Sequence, residues 1–294
     1  MIGMILDRLR GNQIANRIMV ALGKLGMDRF FYCLFYKYYE KHPSAAMKAS
    51  CSYFNQHKQQ IEHIKGLLAD EKSKKIWEQM IEFRKTMNYK LHPGRELPQY
   101  FVKDIFQFCQ KEIFIDCGGF DGATSLEFIH SLKILGGYKS IVIFEPDPSN
   151  IRLIKEKTIE KEHILLIEKG LWDRNANIGF SGVGNSSSKI IEIDECSSEL
   201  SKIETIEVVA MDGVAECKNA TFIKMDLESS EMQALKGAEK IIKANKPKLA
   251  ICIYHSDKDM LEIIQYIYSL VPEYKFFVRQ HANSYNETVL YAVA

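Results

Sequence analysis

The chain has 294 residues, of which 46% are hydrophobic and 26% charged, so it is long enough for one sizeable core with an appendage. A net charge of +1 gives no sign of a general nucleic-acid-binding surface, so no nucleic-acid partner is expected. The seven cysteines are scattered without a Cys-x-x-Cys pair, which argues against a zinc site or disulfide framework and favours a reducing, cytoplasmic setting. Charged residues interrupt the N-terminal apolar run, and no stretch has the roughly 18 apolar residues of a membrane span.

Residues 1–97 are expected to form a helical N-terminal region, because they show no strand alternation. An aromatic-rich segment at 30–39 has two interpretations. It is either a helix packed on the main domain or on a second copy in a homodimer, or a peripheral membrane contact aided by nearby basic residues. The charged segment 56–90 predicts one or two amphipathic helices, and Pro93-Gly94 marks a break before a second domain at 98–294.

The second domain alternates predicted strands and helices. A short amphipathic helix is expected near 102–110, a flexible loop at 182–188 and a short strand at 206–210. Five other segments have the apolar composition of buried parallel strands, namely 113–115, 141–144, 163–168, 221–225 and 249–254. This alternation predicts an α/β fold with a doubly wound, mostly parallel sheet, and the strands at 275–279 and 287–293 predict a final antiparallel hairpin.

Local signals predict where several helices begin. Thr124 with Glu127 fits a capping box after the first strand, and Ser230 with Gln233 fits another after the strand at 221–225. After the strand at 141–144, Asp147 is placed to cap a helix with Pro148 at its first position.

A glycine-rich turn joins the first strand to its helix, with the sequence Asp116-Cys-Gly118-Gly119-Phe-Asp121-Gly122-Ala-Thr124. Gly118 and Gly122 suit a turn that needs unusual backbone angles and the close approach of a ligand. A helix N-terminus aimed at that turn attracts a negative group. The stretch therefore predicts a nucleotide-type binding loop at the carboxyl end of the first parallel strand.

Charged residues follow three other predicted strands. Glu145 ends the second strand, where an acid accepts from ribose hydroxyls and rejects a 2′-phosphate; the alternative is a helix-cap or surface acid. Lys224 and Asp226 end the strand at 221–225, where a structural Lys–Asp ion pair is the alternative to a functional role. Glu228 follows in the loop, and His255 ends the next strand, so both are expected at the mouth of a cleft.

Five motifs occur in one order: Asp-Cys-Gly-Gly-Phe-Asp-Gly at 116–122, Phe-Glu-Pro-Asp-Pro at 144–148, Ile-Lys-Met-Asp-Leu-Glu at 223–228, Leu-Lys-Gly-Ala-Glu at 235–239 and Pro-Lys-Leu-Ala-Ile-Cys-Ile-Tyr-His at 247–255. With them, residues 98–294 resemble the FkbM family of S-adenosylmethionine-dependent methyltransferases. The resemblance implies a class I, Rossmann-like seven-stranded sheet and O-methylation of a hydroxyl on a glycan sugar or a polyketide-like natural product. Where the family commonly has Gly-Ala after the glutamate, this chain has Ser229-Ser230, which affects the local turn and substrate shape rather than the fold.

With S-adenosylmethionine as the cofactor, the glycine turn would meet its amino-acid end. The helix N-terminus near Thr124 would face the carboxylate, and Asp116 or Asp226 the ammonium. The third strand should end beside the adenine, although Trp172 has a plain core position as its alternative. The predicted cofactor-binding residues are Tyr100, Asp116, Gly118, Gly119, Asp121, Thr124, Glu145, Pro146, Gly170, Leu171, Trp172 and Asp226.

The expected reaction is an in-line displacement in which a base takes the proton of the acceptor hydroxyl. His255 is the first choice for this base because its unperturbed pKa is about 6.5, and Glu228 is the second. Asp226 and Lys224 complete the predicted catalytic set. Asp226 with Glu228 is also a pair that could hold a divalent cation, but two carboxylates are a thin ligand set, so no metal ligand is assigned.

Two rival functions share parts of these patterns. An NAD-dependent dehydrogenase would use the same glycine turn and Glu145, but Phe120 occupies the middle glycine position and the final hairpin fits poorly. A catalytically inactive scaffold in glycan assembly is the second rival. The retained acids Glu145, Asp226 and Glu228, together with His255, argue against it.

Overall fold

The computed structural model describes residues 42–181, 189–191 and 204–294. The aromatic segment at 30–39 and the predicted flexible loop at 182–188 lie outside the described residues. In the described part of the chain, no helix combines the length and the hydropathy needed to cross a membrane. The described residues divide into two compact units, one formed by 42–97 with 278–288 and the other by 98–277 with 289–294.

The first unit contains three helices, α1 (Ala45–Gln56), α2 (Lys58–Leu67) and α3 (Glu71–Thr86). The last two correspond to the amphipathic helices predicted over 56–90. α3 begins after Asp70, whose side chain accepts a hydrogen bond from the Ser73 N–H at 2.6 Å. Arg279, which is 1% exposed, donates to the other carboxylate oxygen of Asp70 at 2.8 Å. The segment 278–288 thus contributes the buried arginine of an ion pair to this helical unit, although the prediction placed the segment with the domain at 98–294.

The second unit is built on a seven-stranded sheet. Its strands are β1 (Ile113–Cys117), β2 (Ser140–Phe144), β3 (Ile164–Ile167), β8 (Phe222–Met225), β9 (Lys248–Cys252), β10 (Lys275–Gln280) and β11 (Thr288–Val293), in the order β10-β11-β9-β8-β1-β2-β3. β1 pairs in parallel with β2 and β8, and β11 pairs antiparallel with β9. The predicted doubly wound, mostly parallel sheet is therefore confirmed. Because β1, β2, β8 and β9 run parallel, their carboxyl ends share one edge. The strand order reverses between β1 and β8, and such folds bind ligands at this edge beside the reversal.

Helices connect the parallel strands: α4 (Ala123–Leu132), α5 (Pro148–Thr158), α6 (Glu231–Lys236), α7 (Glu239–Asn245) and α8 (Asp257–Leu270). α6 and α7 follow the helix start that the sequence predicted at Ser230. The break between α6 and α7 falls at Gly237, where an added Cβ atom would lie 2.0 Å from the carbonyl oxygen of Trp172. Close packing against a neighbouring loop therefore requires glycine at this position, and the helix is interrupted there.

The predicted helix at 102–110 is wrong. These residues, all of them described, form turns and irregular structure. Phe101 and Phe106 are buried in an aromatic cluster with Phe114 of β1 and Phe222 of β8. Packing of these rings against the sheet overrides the weak helical periodicity of the segment.

The helix caps confirm the predicted cap of Asp147 and correct two predicted capping boxes. The side chain of Asp147 caps α5 by accepting from the Ser149 N–H at 2.8 Å, with Pro148 at the first helical position, as predicted. The Thr124 capping box is wrong, because the N-cap of α4 is Gly122 with φ +77°. Ser230 does precede α6, but its side chain makes no capping hydrogen bond with any described residue.

A smaller sheet follows β3. Its strands are β4 (Gly170–Leu171), β5 (Ala176–Ser181), β6 (Lys189–Ile191) and β7 (Glu204–Val209), in the order β4-β7-β5-β6. β7 corresponds to the short strand predicted at 206–210. These strands pair with one another and form a sheet of their own. The sequence did not predict this sheet, because its strands are short.

Candidate active site

The glycine turn after β1 lies directly against the end of β8. Gly118 has φ +85°, and an added Cβ atom there would lie 2.1 Å from the backbone oxygen of Asp226. The N–H groups of Gly118 and Gly119 donate to the carbonyl of Phe144 at 3.0 and 3.1 Å. The turn is thus held between β2 and β8, and only glycine permits its contact with Asp226.

A buried ion pair supports this turn from below. Lys224, 2% exposed, lies 3.1 Å from the carboxylate of Asp116 and donates to the carbonyl of Gly118 at 2.7 Å. Asp116 is fully buried and also accepts from Ser125 at 2.7 Å. Burial alone would lower the pKa of Lys224, but the charges of Asp116 and Asp226 raise it, so the ammonium stays charged.

This arrangement changes the expected role of Lys224. The side chains of Lys224 and Asp116 are enclosed beneath the turn, where neither faces an incoming acceptor. The structural Lys–Asp pair weighed from the sequence is present, with Asp116 as the partner. Lys224 therefore has the position of a residue that orients the glycine turn, and the geometry does not favour the predicted catalytic role.

Glu145 links the loops that follow β1 and β2. One carboxylate oxygen accepts from the Phe120 N–H at 2.8 Å, and the other accepts from the Asp147 N–H at 2.9 Å and from Asn150 at 3.3 Å. The side chain is 5% exposed, and burial raises the pKa of its carboxyl group. Pro146 follows it and is half-buried. Glu145 thus lies beside the glycine turn, in the position predicted for a ribose ligand.

Asp121 and Thr124 lie at the start of α4. Asp121 accepts from the Ala123 N–H at 3.0 Å and pairs with Lys157 at 2.5 Å. Burial would raise the pKa of Asp121, but Lys157 and the Ala123 N–H hold it below its ordinary value. Thr124 is half-buried in the first turn of the helix. The helix N-terminus therefore faces the glycine turn. Its first N–H group, that of Ala123, donates to Asp121 rather than to Thr124.

Gly170, Leu171 and Trp172 are all buried. Trp172 is 6% exposed and packs with Ile178 and Val208 in an apolar cluster of the smaller sheet. Trp172 thus has the core position that was the alternative to lying beside the adenine of the cofactor.

An acidic cluster lies at the ends of β8 and β9. Asp226 accepts from the hydroxyls of Tyr100 and Tyr254 at 3.0 and 3.1 Å. The ring of His255 lies between three carboxylates: Nε2 is 3.5 Å from Asp226 and 3.7 Å from Glu228, and Nδ1 is 3.0 Å from Glu231. The structure therefore brings Asp226, Glu228 and His255 together, as the sequence predicted, and it adds Tyr100, which was predicted as a cofactor-binding residue.

Glu231 shapes the loop that carries Glu228. It is fully buried and accepts from the Leu227 N–H at 2.6 Å. In the loop between Leu227 and Glu231, Glu228 has φ +51° and Ser229 has φ +81°. Both values lie in the left-handed region that glycine adopts without strain. The turn is thus formed despite the serine at a position where the family commonly has glycine, with Glu231 fixing its start.

The environment of His255 removes the reason for choosing it as the base. Burial lowers the pKa of a histidine, but the surrounding Glu228, Glu231 and Asp226 raise the pKa of His255 to about 10. The ring is thus protonated near neutral pH when only these groups surround it. The argument from an unperturbed pKa does not apply in this cluster.

From the sequence, Glu231 is one of four charges expected at the mouth of the cleft but has no assigned role, and Tyr254 was missed. Glu231 belongs to the charged run that follows β8, three residues after Glu228, and this run was the signal that placed it at the cleft. Tyr254 precedes His255 in an apolar strand segment, so it was assigned to the core. Neither pattern shows that the side chain reaches a neighbouring strand end.

Comparisons with known proteins agree with the geometry. A family model described as the methyltransferase FkbM domain matches residues 116–278, more than half of the chain. The chain is also similar to the structure of the methyltransferase FkbM from Methylobacillus flagellatus KT, with a TM-score of 0.70 and 25% identity, covering 82% of this chain and 60% of that one. It thus spans less than two thirds of that relative's length.

Other comparisons are weaker. An rRNA methylase from Streptococcus thermophilus has a TM-score of 0.39 and 14% identity, covering 63% of this chain and 87% of that one. The comparison with curated proteins gave no match. The family resemblance and the class I methyltransferase fold are nevertheless confirmed by the family model and by the structure from Methylobacillus flagellatus. The chain therefore belongs to the FkbM methyltransferase domain family.

Proposed function

We propose that the chain is an S-adenosylmethionine-dependent O-methyltransferase that methylates a hydroxyl of a glycan sugar or of a natural product. The observation that carries this proposal is the contact between the glycine turn at Gly118 and the backbone of Asp226. This contact supports the proposal because the glycine turn, which would hold the cofactor, lies directly beside a cluster of acids that can activate a hydroxyl. Membership of the FkbM family supports the same reaction class.

The cofactor half of the site uses the turn after β1 and the acid after β2. The amino-acid end of S-adenosylmethionine lies over the glycine turn, with its carboxylate toward the N-terminus of α4. Glu145 accepts from the ribose hydroxyls. Each carboxylate oxygen can accept two hydrogen bonds, so the oxygen that accepts from the Phe120 N–H keeps capacity for a hydroxyl donor.

The acceptor half of the site activates the hydroxyl and aligns it with the methyl group. The acceptor oxygen attacks the methyl carbon, a C–O bond forms, and the C–S bond breaks with its electron pair moving to sulfur, which leaves S-adenosylhomocysteine. Positioning the two reactants about 3–3.5 Å apart supplies most of the rate enhancement. Glu228 takes the hydroxyl proton, because its side chain is 28% exposed whereas that of His255 is 6% exposed behind the carboxylates.

Calorimetric titration with S-adenosylhomocysteine tests the cofactor half. We expect one-to-one binding to the wild-type chain and binding at least about tenfold weaker in Glu145→Gln, because a bidentate acceptor loses one oxygen. Glu160→Gln, the same change at an exposed acid after α5, is the matched control and should bind as the wild type does. A wild-type chain that binds reduced nicotinamide cofactors but not S-adenosylhomocysteine would contradict the proposal and favour a dehydrogenase.

Transfer of a labelled methyl group tests the acceptor half. The full chain is incubated with methyl-labelled S-adenosylmethionine and either oligosaccharides or hydroxylated polyketides. Label in an ether survives mild alkali, whereas label in a carboxylate ester is released. We expect alkali-stable label that falls about 100-fold or more in Glu228→Gln, in keeping with the loss of a general base, while S-adenosylhomocysteine binding is retained. Alkali-labile label, or equal transfer by the variant, would contradict the proposed chemistry.

A further inference from the structure

The cluster of Asp226, Glu228 and His255 has the features of a metal site. We propose that these three side chains bind one divalent transition-metal cation at the position where the acceptor hydroxyl arrives. This deepens the proposed function and rests on it for the chemical role of the ion. The binding site itself rests on the geometry of the described residues.

The spacing of the donor atoms suits a single ion. One carboxylate oxygen from each acid and one ring nitrogen of His255 all lie within 4.8 Å of one another. Nε2 of His255 is 3.5 Å from Asp226 and 3.7 Å from Glu228, longer than hydrogen bonds. Neighbouring ligands on an ion with bonds of about 2.0–2.2 Å are about 3.0–3.5 Å apart, so the two distances from Nε2 to the carboxylates are close to those between ligands of one ion.

The Nε2 atom of His255 gives an independent indication of a ligand. The side chain is 6% exposed, and this nitrogen is buried without a hydrogen-bond partner among the described residues. Buried side-chain nitrogens in folded proteins nearly always have a partner. This one is directed between two carboxylate oxygens, where a cation would satisfy all three atoms.

The surrounding contacts are those that support metal ligands. Glu231 lies 3.0 Å from Nδ1 of His255, the ring atom opposite the proposed ligand atom. The hydroxyls of Tyr100 and Tyr254 donate to Asp226. A carboxylate behind a histidine and hydrogen bonds to a ligating carboxylate fix the orientation of metal ligands and strengthen their binding.

The charges of the cluster favour a cation. Three carboxylates surround one imidazole, and the nearby ammonium of Lys224 is already matched by Asp116. A bound ion takes the place of the proton on Nε2. The mixture of imidazole and carboxylate donors suits Mn²⁺, Fe²⁺ or Zn²⁺ better than Mg²⁺ or Ca²⁺, which prefer oxygen ligands alone.

The ion would acidify the acceptor hydroxyl. An oxygen bound at an open coordination position loses its proton more readily, and the proton passes to the carboxylate oxygen of Glu228 that does not hold the ion. The oxygen then attacks the methyl carbon as described above, and the C–S electron pair leaves on sulfur. Glu228 thus both holds the ion and receives the proton.

Titration of the full chain with Mn²⁺ tests the site. Electron paramagnetic resonance measures free Mn²⁺, and pulsed measurements detect coupling to a ring nitrogen. We expect one Mn²⁺ per chain with a nitrogen coupling that is lost in His255→Gln. His255→Gln and Glu228→Gln should each weaken binding about 100-fold or more, and Glu231→Gln about 10–100-fold. Glu262→Gln, the same change at an acid on α8 outside the cluster, should bind as the wild type does.

Three results would overturn the inference: no binding of Mn²⁺ or Zn²⁺ by the wild type, undiminished binding in both Glu228→Gln and His255→Gln, or bound Mn²⁺ without nitrogen coupling. Circular dichroism of each variant separates loss of the site from loss of the fold. Calorimetry with S-adenosylhomocysteine separates this inference from the proposed function. A chain that binds S-adenosylhomocysteine but no transition metal refutes the metal site alone, whereas the reverse result supports the site and contradicts the proposed cofactor.

Discussion

Gly118 shows how one residue controls the approach of two loops. Glycine is necessary at this position for two reasons. Its φ is positive, and the Cβ atom of any other residue would collide with the Asp226 carbonyl. The motif around 116–122 indicates a tight turn, but it does not show which backbone the turn meets. His255 is a similar case, because its position at a strand end is readable from the sequence, while the three acids around it come from the segment that follows a different strand, β8.

We predict opposite effects for two glycine-to-alanine changes. Gly118→Ala should lower the free energy of unfolding by about 2 kcal/mol or more and weaken S-adenosylhomocysteine binding, because the added methyl group displaces the Asp226 backbone. Gly66→Ala, in α2 with no described atom within 4 Å of the added methyl, should raise stability by about 0.5–1 kcal/mol. Urea unfolding and calorimetry check both; a stable Gly118→Ala chain with full binding would contradict the contact.

At the level of elements, the hydrophobic pattern predicted the positions of the parallel strands well, whereas the local capping signals predicted the helix caps poorly. A buried parallel strand is a short, continuous apolar run whatever its neighbours are, so its pattern survives in the sequence. A cap depends on the direction in which the chain enters the helix. Gly122 enters α4 in the left-handed conformation, which leaves the Thr124 and Glu127 side chains without a capping role. The predicted helix at 102–110 is wrong because aromatic packing on the sheet stabilises turns there.

Two capping residues that look alike in the sequence should therefore behave differently. Asp147→Ala should lower the free energy of unfolding by about 1 kcal/mol or more, because its carboxylate caps α5. Ser230→Ala should lower it by less than about 0.5 kcal/mol, since no cap bond is lost to any described residue. Urea unfolding of both variants measures the difference, and equal losses would show that Ser230 makes a cap in solution.

On the scale of the whole molecule, two segments distant in the chain form the helical unit. Residues 278–288 join the helices of 42–97, and the buried Arg279 pairs with Asp70 and donates to Ser73 at 2.7 Å. Burial alone would raise the pKa of Asp70, but the bonds from Arg279 and Ser73 hold it below its ordinary value. The pair stabilises the fold at pH values above about 4 and loses this contribution as the pH falls and Asp70 is protonated.

Asp70→Asn should keep the helix cap but leave Arg279 buried without its counter-charge. We expect a loss of about 2 kcal/mol at pH 7, less than for a fully buried pair because the Asp70 side chain is 33% exposed. The difference in unfolding temperature from the wild type should shrink as the pH is lowered from 7 to 3. Glu71→Gln, at an 88% exposed neighbour, is the control and should change little. A difference independent of pH would mean that the ion pair does not stabilise this unit.

The sequence by itself determined the class of fold, the glycine turn, the acids at the strand ends and the family, because all of these follow from short-range patterns. Strand composition fixes burial, and motif spacing fixes which groups reach the carboxyl edge of the sheet. Only the tertiary structure decided that Lys224 pairs with Asp116, that Glu231 and Tyr254 belong to the acidic cluster, and that 278–288 packs with the helical unit. These contacts join residues far apart in the chain, and their distances depend on strand order and packing, which no local pattern encodes.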